Sequence, residues 1–221
     1  MNFLLVAAIL VLASLTAFLM TRFKVDGNRK AIRSAVALGG VYNLIMTFVF
    51  VASRVLSFGD SMILGFKVLG VPVEQVLLCF LLPYAFLAIY LYLNGHRALQ
   101  KPDKYSLSIS NVLMGLSIAM IFFAYNKALA AITFSIMLLI LLYIEYKSTL
   151  RFMLPFYRAY LYALVLFLLI FVPLHIASFY RYALPGTIEL NLAYIPFEGY
   201  FYYLTMGLIA VFSYERINRG K

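Results

Sequence analysis

Seven stretches of this chain stay apolar long enough to cross a bilayer, and charged residues fall mostly in the gaps between them. A helix needs about 20 apolar residues to span the hydrocarbon core. The candidates run over roughly 3–21, 34–54, 71–93, 107–125, 128–146, 158–178 and 196–214. Only the Asn126–Lys127 region separates the fourth from the fifth. Gly39 and Gly40 in the second stretch would let another helix approach closely. Pro83 and Pro173 should kink the third and sixth, whereas Pro72 and Pro196 stand in first turns, where proline is tolerated.

Composition agrees. With 65% hydrophobic and 12% charged residues, the chain of 221 has too little polar surface to cover a soluble domain. The reading is an all-α membrane protein. The net charge of +10 does not mark nucleic acid as a partner, because the basic residues form short clusters between apolar runs. Fourteen of the 18 Lys and Arg fall in one set of alternating gaps, including Arg22, Lys24, Arg97, Lys101, Arg151, Arg216 and Lys221. The positive-inside rule then puts the N-terminus outside and the C-terminus in the cytoplasm, in a multi-pass protein of the inner (cytoplasmic) membrane. The first run lacks the basic n-region and small-residue cleavage site of a signal peptide, so it counts as a span. Cys79 is the sole cysteine, and no GxGxxG, Walker A or HExxH motif occurs, so neither a cofactor nor a metal is expected.

Two acids break the pattern. Glu74 and Glu198 each lie two residues after a proline at the start of an apolar run, in VPVEQ and IPFEG, and they are 124 positions apart. An ionisable group in hydrocarbon is a functional-site hypothesis by default. An acid in a first turn can also be merely interfacial and favourable to the helix dipole. Two in matching contexts point instead to one site built from two copies of a unit. That gives a 3+1+3 plan: 1–95 with three spans, 96–126 as a linker helix, and 127–221 with three more. The copies would run parallel, with a site at their interface.

The stretches VPVEQ…LPYAFLAIY and IPFEGYFYYLTMGLIAVFSYE resemble the two Pro-x-Glu motifs of the lycopene cyclase domain family, the integral-membrane, non-flavin carotenoid cyclases. The layout agrees over the whole chain and the motifs agree over 71–92 and 194–215. The resemblance implies carotenoid biosynthesis by cyclisation of lycopene end groups, with rings of the β-carotene type. It also implies catalysis by Glu74 and Glu198, with Asp60 as a further polar contributor. There are departures: where the family has a second acid after each glutamate, this chain has Gln75 and Gly199, and Leu77-Leu78-Cys79 replaces an aromatic pair.

The chemistry needs no redox partner. An acid protonates the terminal double bond, the neighbouring double bond attacks the cation, and a base removes a proton to set the ring type. A free glutamate of pKa ~4.3 is protonated in about one molecule in 500 at pH 7. Desolvation raises a buried carboxyl by up to about 3–5 units, against roughly 0.3–1 kcal/mol from a helix dipole, so a dry site supplies a usable acid. A cation also wants π-faces. Phe80 and Tyr84 follow the first acid, and Phe201 and Tyr202 follow Glu198 at i+3 and i+4. An aromatic interface belt accounts equally well for most such rings. His175 and Asn43 complete the expected substrate-binding set, although Asn43 and Asn111 would ordinarily make interhelical hydrogen bonds.

The partners expected are a lipophilic polyene or isoprenoid and the lipid bilayer, and a homo-oligomer stays open. Alternatives are a cyclase or end-group hydratase for another polyprenyl substrate, a catalytically silent relative, and a small-solute membrane protein of 3+1+3 design. The last would want polar groups at mid-membrane, whereas these acids sit at one end. A retinal photoreceptor is excluded, since no lysine lies between Pro196 and Tyr214.

Overall fold

Inside hydrocarbon a backbone must satisfy its own N–H and C=O groups, so each apolar run becomes a helix. The computed structural model describes residues 3–22, 28–59, 66–94, 104–148, 150–183 and 186–219. Asp60 and the basic residues Lys24, Arg97, Lys101 and Lys221 lie outside them. The helices are α1 (Phe3–Arg22), α2 (Arg29–Ala52), α3 (Val73–Asn94), α4 (Lys104–Phe123), α5 (Ala128–Leu142), α6 (Met153–Ile176) and α7 (Phe197–Arg219). A single π-turn, Tyr143–Lys147, extends α5.

Among the described residues five helices are long and apolar enough to cross a membrane: α2, α3, α4, α6, and α5 with its π-turn. The apolar part of α1, Leu5–Thr21, falls short of that length, and α7, with Glu198, Glu215 and Arg216, is not among the five. Helix α2 begins before its apolar run because Asn28 caps it, accepting the Lys30 N–H at 3.1 Å. Hydropathy reports the membrane-sized part of a helix and misses such a polar first turn.

Among the described residues six short strands also form, too brief for a hydropathy pattern to reveal: β1 (Leu56–Phe58), β2 (Lys67–Val68), β3 (Val71–Pro72), β4 (Tyr180–Tyr182), β5 (Asn191–Leu192) and β6 (Ile195–Pro196). β2 pairs with β3, and β5 with β6, as tight hairpins that lead straight into α3 and α7. β1 pairs antiparallel with β4, with Ser57 opposite Arg181 at the centre.

The spacing of 124 seen between the two glutamates recurs through these elements. It relates α2 to α6, β1 to β4, β2 to β5, β3 to β6, and the first residue of α3 to that of α7. Backbone detail follows: Arg54 and Ser178 share φ 58°, and Leu69 and Ala193 have φ 50° and 48°. Packing does too. α1 lies on α3 as α5 lies on α7, and α2 crosses to α7 as α6 crosses to α3. α4 packs mainly on α5, with little of it buried.

The core gathers where α2, α3 and α7 meet, and small residues make that approach possible. A Cβ on Gly39 would lie 2.8 Å from Pro83 Cβ and 3.2 Å from Ala210 Cβ. The Phe80 ring occupies the notch left by Gly40, and the Phe86 ring the notch left by Gly207. Phe86 is fully buried and stacks on Phe156 at 5.6 Å between centroids, so it has nowhere to go. Gly207→Ala should therefore cost about 1–3 kcal/mol through overpacking. Thermal unfolding in detergent checks this, and Phe86→Leu in the same chain should recover part of the loss.

Candidate functional site

The two hairpins set the glutamates. Leu69 and Gly70, and likewise Ala193 and Tyr194, have positive φ at both central positions, the twist that two-residue hairpins favour. Ala193 and Tyr194 hold it without glycine, at a cost of about 1–3 kcal/mol each. Each hairpin delivers its proline in the last strand residue, so Glu74 and Glu198 become the second residues of α3 and α7. Both are buried, Glu74 at 4% exposure and Glu198 at 0%. Glu198 Oε1 accepts the Ile188 N–H at 2.7 Å, tying α7 to the segment before it. Its Oε2 is buried with no hydrogen-bond partner.

A cavity of about 640 Å³, its mouth included, lies beside these helix starts. The residues that face it are Gln75 and Gly199, the neighbours of the two glutamates, together with Asn43, Thr47, Phe50, Phe167, Phe171, His175, Tyr180, Tyr182, Tyr202, Tyr203, Met206 and a few aliphatic groups. Of the residues anticipated from sequence, Asn43, His175 and Tyr202 line it. Phe80, Tyr84 and Phe201 do not. Phe80 fills the Gly40 notch, Phe201 packs on Phe134 at 5.0 Å and Phe197 at 4.9 Å, and Tyr84 is half-buried away from the cavity. The glutamates themselves stand beside the wall and are not part of its lining.

One wall is polar and internally bonded. Tyr202 donates its hydroxyl to Asn43, whose Nδ2 donates to the Cys79 carbonyl at 3.3 Å. Thr47 donates to the Asn43 carbonyl at 2.8 Å, and Tyr180 donates to Gln75 Oε1 at 2.7 Å. So Asn43 is both a lining residue and an interhelical link between α2, α3 and α7. The other wall is aromatic. Phe167 stacks on Phe171 and on Tyr203, each at 4.5 Å, and Phe171 stacks on Tyr180 at 5.5 Å. His175 stacks on Tyr182 at 5.6 Å.

Tyr180 and Tyr182 stand on strand β4, outside the helices. Burial pushes both phenols above their usual value, and the nearby Glu198 carboxylate adds to the effect at Tyr182. They remain neutral donors at any physiological pH. Among the described residues no group of His, Cys, Asp or Glu could hold a metal ion.

Phe167, Phe171, Tyr180 and Tyr182 were not anticipated. The signal was there: Phe167, Phe171 and His175 form an i, i+4, i+8 stripe, and the first two stand 124 positions after Asn43 and Thr47.

The sequence model of the lycopene cyclase family matches residues 1–93 and 126–217. The chain belongs to the lycopene cyclase family. The two matched blocks leave out 94–125, which holds α4. No curated protein and no solved structure matches the chain.

Asn43→Leu strands the Cys79 carbonyl and leaves the Tyr202 hydroxyl only the backbone carbonyl of residue 43, at 3.2 Å, and should cost about 1–3 kcal/mol in unfolding. Tyr202→Phe should cost less, and the double variant about as much as Asn43→Leu alone, which a double-mutant cycle in detergent measures.

Proposed function

We propose that this protein cyclises the end groups of lycopene by proton-initiated, non-redox chemistry, giving rings of the β-carotene type. Membership of the lycopene cyclase family supports a carotenoid cyclase broadly. The observation that carries the finer reading is the pair of buried carboxyl groups at matching helix starts, beside a cavity with an aromatic wall.

One carboxylic acid gives its proton to the terminal carbon–carbon double bond, leaving a tertiary cation. The next double bond supplies its electron pair, the ring bond forms, and the charge moves into the ring. A carboxylate then takes a ring proton and the electrons of that bond close a new double bond. The substrate gains one proton and loses one, so the product is an isomer. Glu74 and Glu198 are our candidates for donor and acceptor. Phe167, Phe171 and Tyr203 supply π-faces to the cation, at about 0.5–2 kcal/mol each. The apolar remainder of the lining keeps out water that would otherwise trap it.

We read the recurrence at 124 as two parallel units, 1–95 and 127–221, with α4 as the linker that restores the same orientation. On that reading all seven helices cross the bilayer, and the uneven Lys and Arg distribution places the glutamate end outside and the C-terminus in the cytoplasm. A linear polyene would enter from the lipid.

End-group hydration is the second reading. The amide and hydroxyl groups of Asn43, Thr47 and Gln75 on the cavity wall favour it, since they could hold the water that adds to the same cation.

Expression in a lycopene-accumulating bacterium, with pigment analysis, tests both. Wild type should convert lycopene to cyclic carotenoid, and Glu74→Gln and Glu198→Gln should each lower conversion at least 100-fold, as expected for loss of an acid or base. Unchanged lycopene with well-expressed wild type would sink the assignment, and acyclic hydroxylated product would replace cyclisation by hydration. Full activity in both glutamine variants would sink the carboxyl mechanism.

A further inference from the structure

The cavity has a built-in difference between its sides. Residues 124 positions apart face it in pairs: Asn43 with Phe167, Thr47 with Phe171, Gln75 with Gly199, Leu56 with Tyr180, and Leu82 with Met206. In the first three pairs the earlier residue is polar and the later one is aromatic or glycine. A symmetric pocket would hold a polyene end group equally well either way round, and this lining is not symmetric.

Tyr180 joins the two sides. Its hydroxyl donates to Gln75 Oε1 at 2.7 Å while its ring stacks on Phe171 at 5.5 Å. With its carbonyl held by Tyr180, the Gln75 amide turns its Nε2 towards Cys79 Sγ, 3.8 Å away and one helical turn further on. The amide dipole is thereby fixed in the polar wall, where Gln75 lines the cavity. Sulfur is a weak acceptor, so that N–H₂ keeps most of its field. A developing cation is repelled from it and drawn to the π-faces of Phe167 and Phe171 on the other side.

We propose that Gln75, locked by Tyr180, is a positioning residue that fixes which way round the polyene end group lies in the cavity, and so which carbon surrenders its proton. Gln75 itself gains and loses nothing: the proton passes from the cyclised cation to a carboxylate, and the bond electrons form the ring double bond. The proposal rests on the cyclase reading for its product arm, and on polyene binding alone for its second arm.

The test uses the full chain as wild type, Tyr180→Phe, Gln75→Leu and the double variant, in lycopene-accumulating cells. Both residues line the cavity, so total conversion should fall in all three variants, and the readout is the isomer ratio of the product that still forms. The ratio of minor to major ring isomer should rise roughly three- to tenfold in both single variants, the fold-change worth one hydrogen bond. The double variant should match Gln75→Leu, because Tyr180 acts only through the amide. In parallel, lycopene bound to the purified protein in detergent micelles is followed by its induced circular dichroism. Tyr180→Phe should keep the bound lycopene and lose much of the band, as two orientations mix.

An unchanged isomer ratio with an unchanged band overturns the proposal. So does loss of binding and conversion together in Tyr180→Phe, which would give the pair a structural role only. A wild type that binds lycopene without cyclising it removes the cyclase reading, and the dichroism of Tyr180→Phe still decides this one. A wild type that binds no lycopene overturns both.

Discussion

The closeness of α2, α3 and α7 governs the rest of this molecule. Three glycines, Gly39, Gly40 and Gly207, remove side-chain bulk at the crossing, and Pro83, Phe80 and Phe86 move into the vacated space. Lipid tails are as apolar as leucine, so helices in a bilayer gain little from burying apolar surface and must be held by close packing and interhelical hydrogen bonds. Both occur together here. The glycines bring the backbones near enough for Asn43 on α2 to reach the Cys79 carbonyl on α3 and the Tyr202 hydroxyl on α7. The bonded wall is a result of the packing, and the cavity is the space left beyond it.

Much of the architecture was legible because hydropathy measures what a bilayer demands. The apolar runs, the glycine pair and the burial of Glu74 and Glu198 could all be read from residue type and spacing. The hairpins could not, since a two-residue strand leaves no periodic trace. The misplaced aromatics have a geometric cause. Taking Glu198 as the origin selects Phe201 and Tyr202 at i+3 and i+4, yet the face that meets the cavity starts one residue later. From Gly199, the positions i+3, i+4 and i+7 are Tyr202, Tyr203 and Met206, and all three line it. Phe201 belongs to the face through Glu198 and packs on α5 through Phe134. A one-residue shift is 100° around a helix, enough to exchange a wall residue for a packing residue.

That same rotation bears on the departures from the family motif. The places where relatives would carry a second acid are Gln75 and Gly199, and these are the positions that look into the cavity. An amide and a glycine there leave the lining free of carboxylate, with the two glutamates set just to the side. Glu198 is additionally engaged with the Ile188 N–H, and Tyr182 stands on the wall close enough to feel its charge. The acids are thus part of the framework around the cavity as well as neighbours of its contents.

The β1–β4 pair has an implication for assembly. Strand β1 finds its partner in the strand 124 positions later, centred on Ser57 and Arg181, an antiparallel match of the kind a two-fold axis between like pieces produces. Each strand therefore covers the edge that the other would leave open, and an open edge invites pairing with another chain. A gene encoding only one half would release that edge. On the two-unit reading, two such half-length products would meet along the same seam, the β1–β4 pairing.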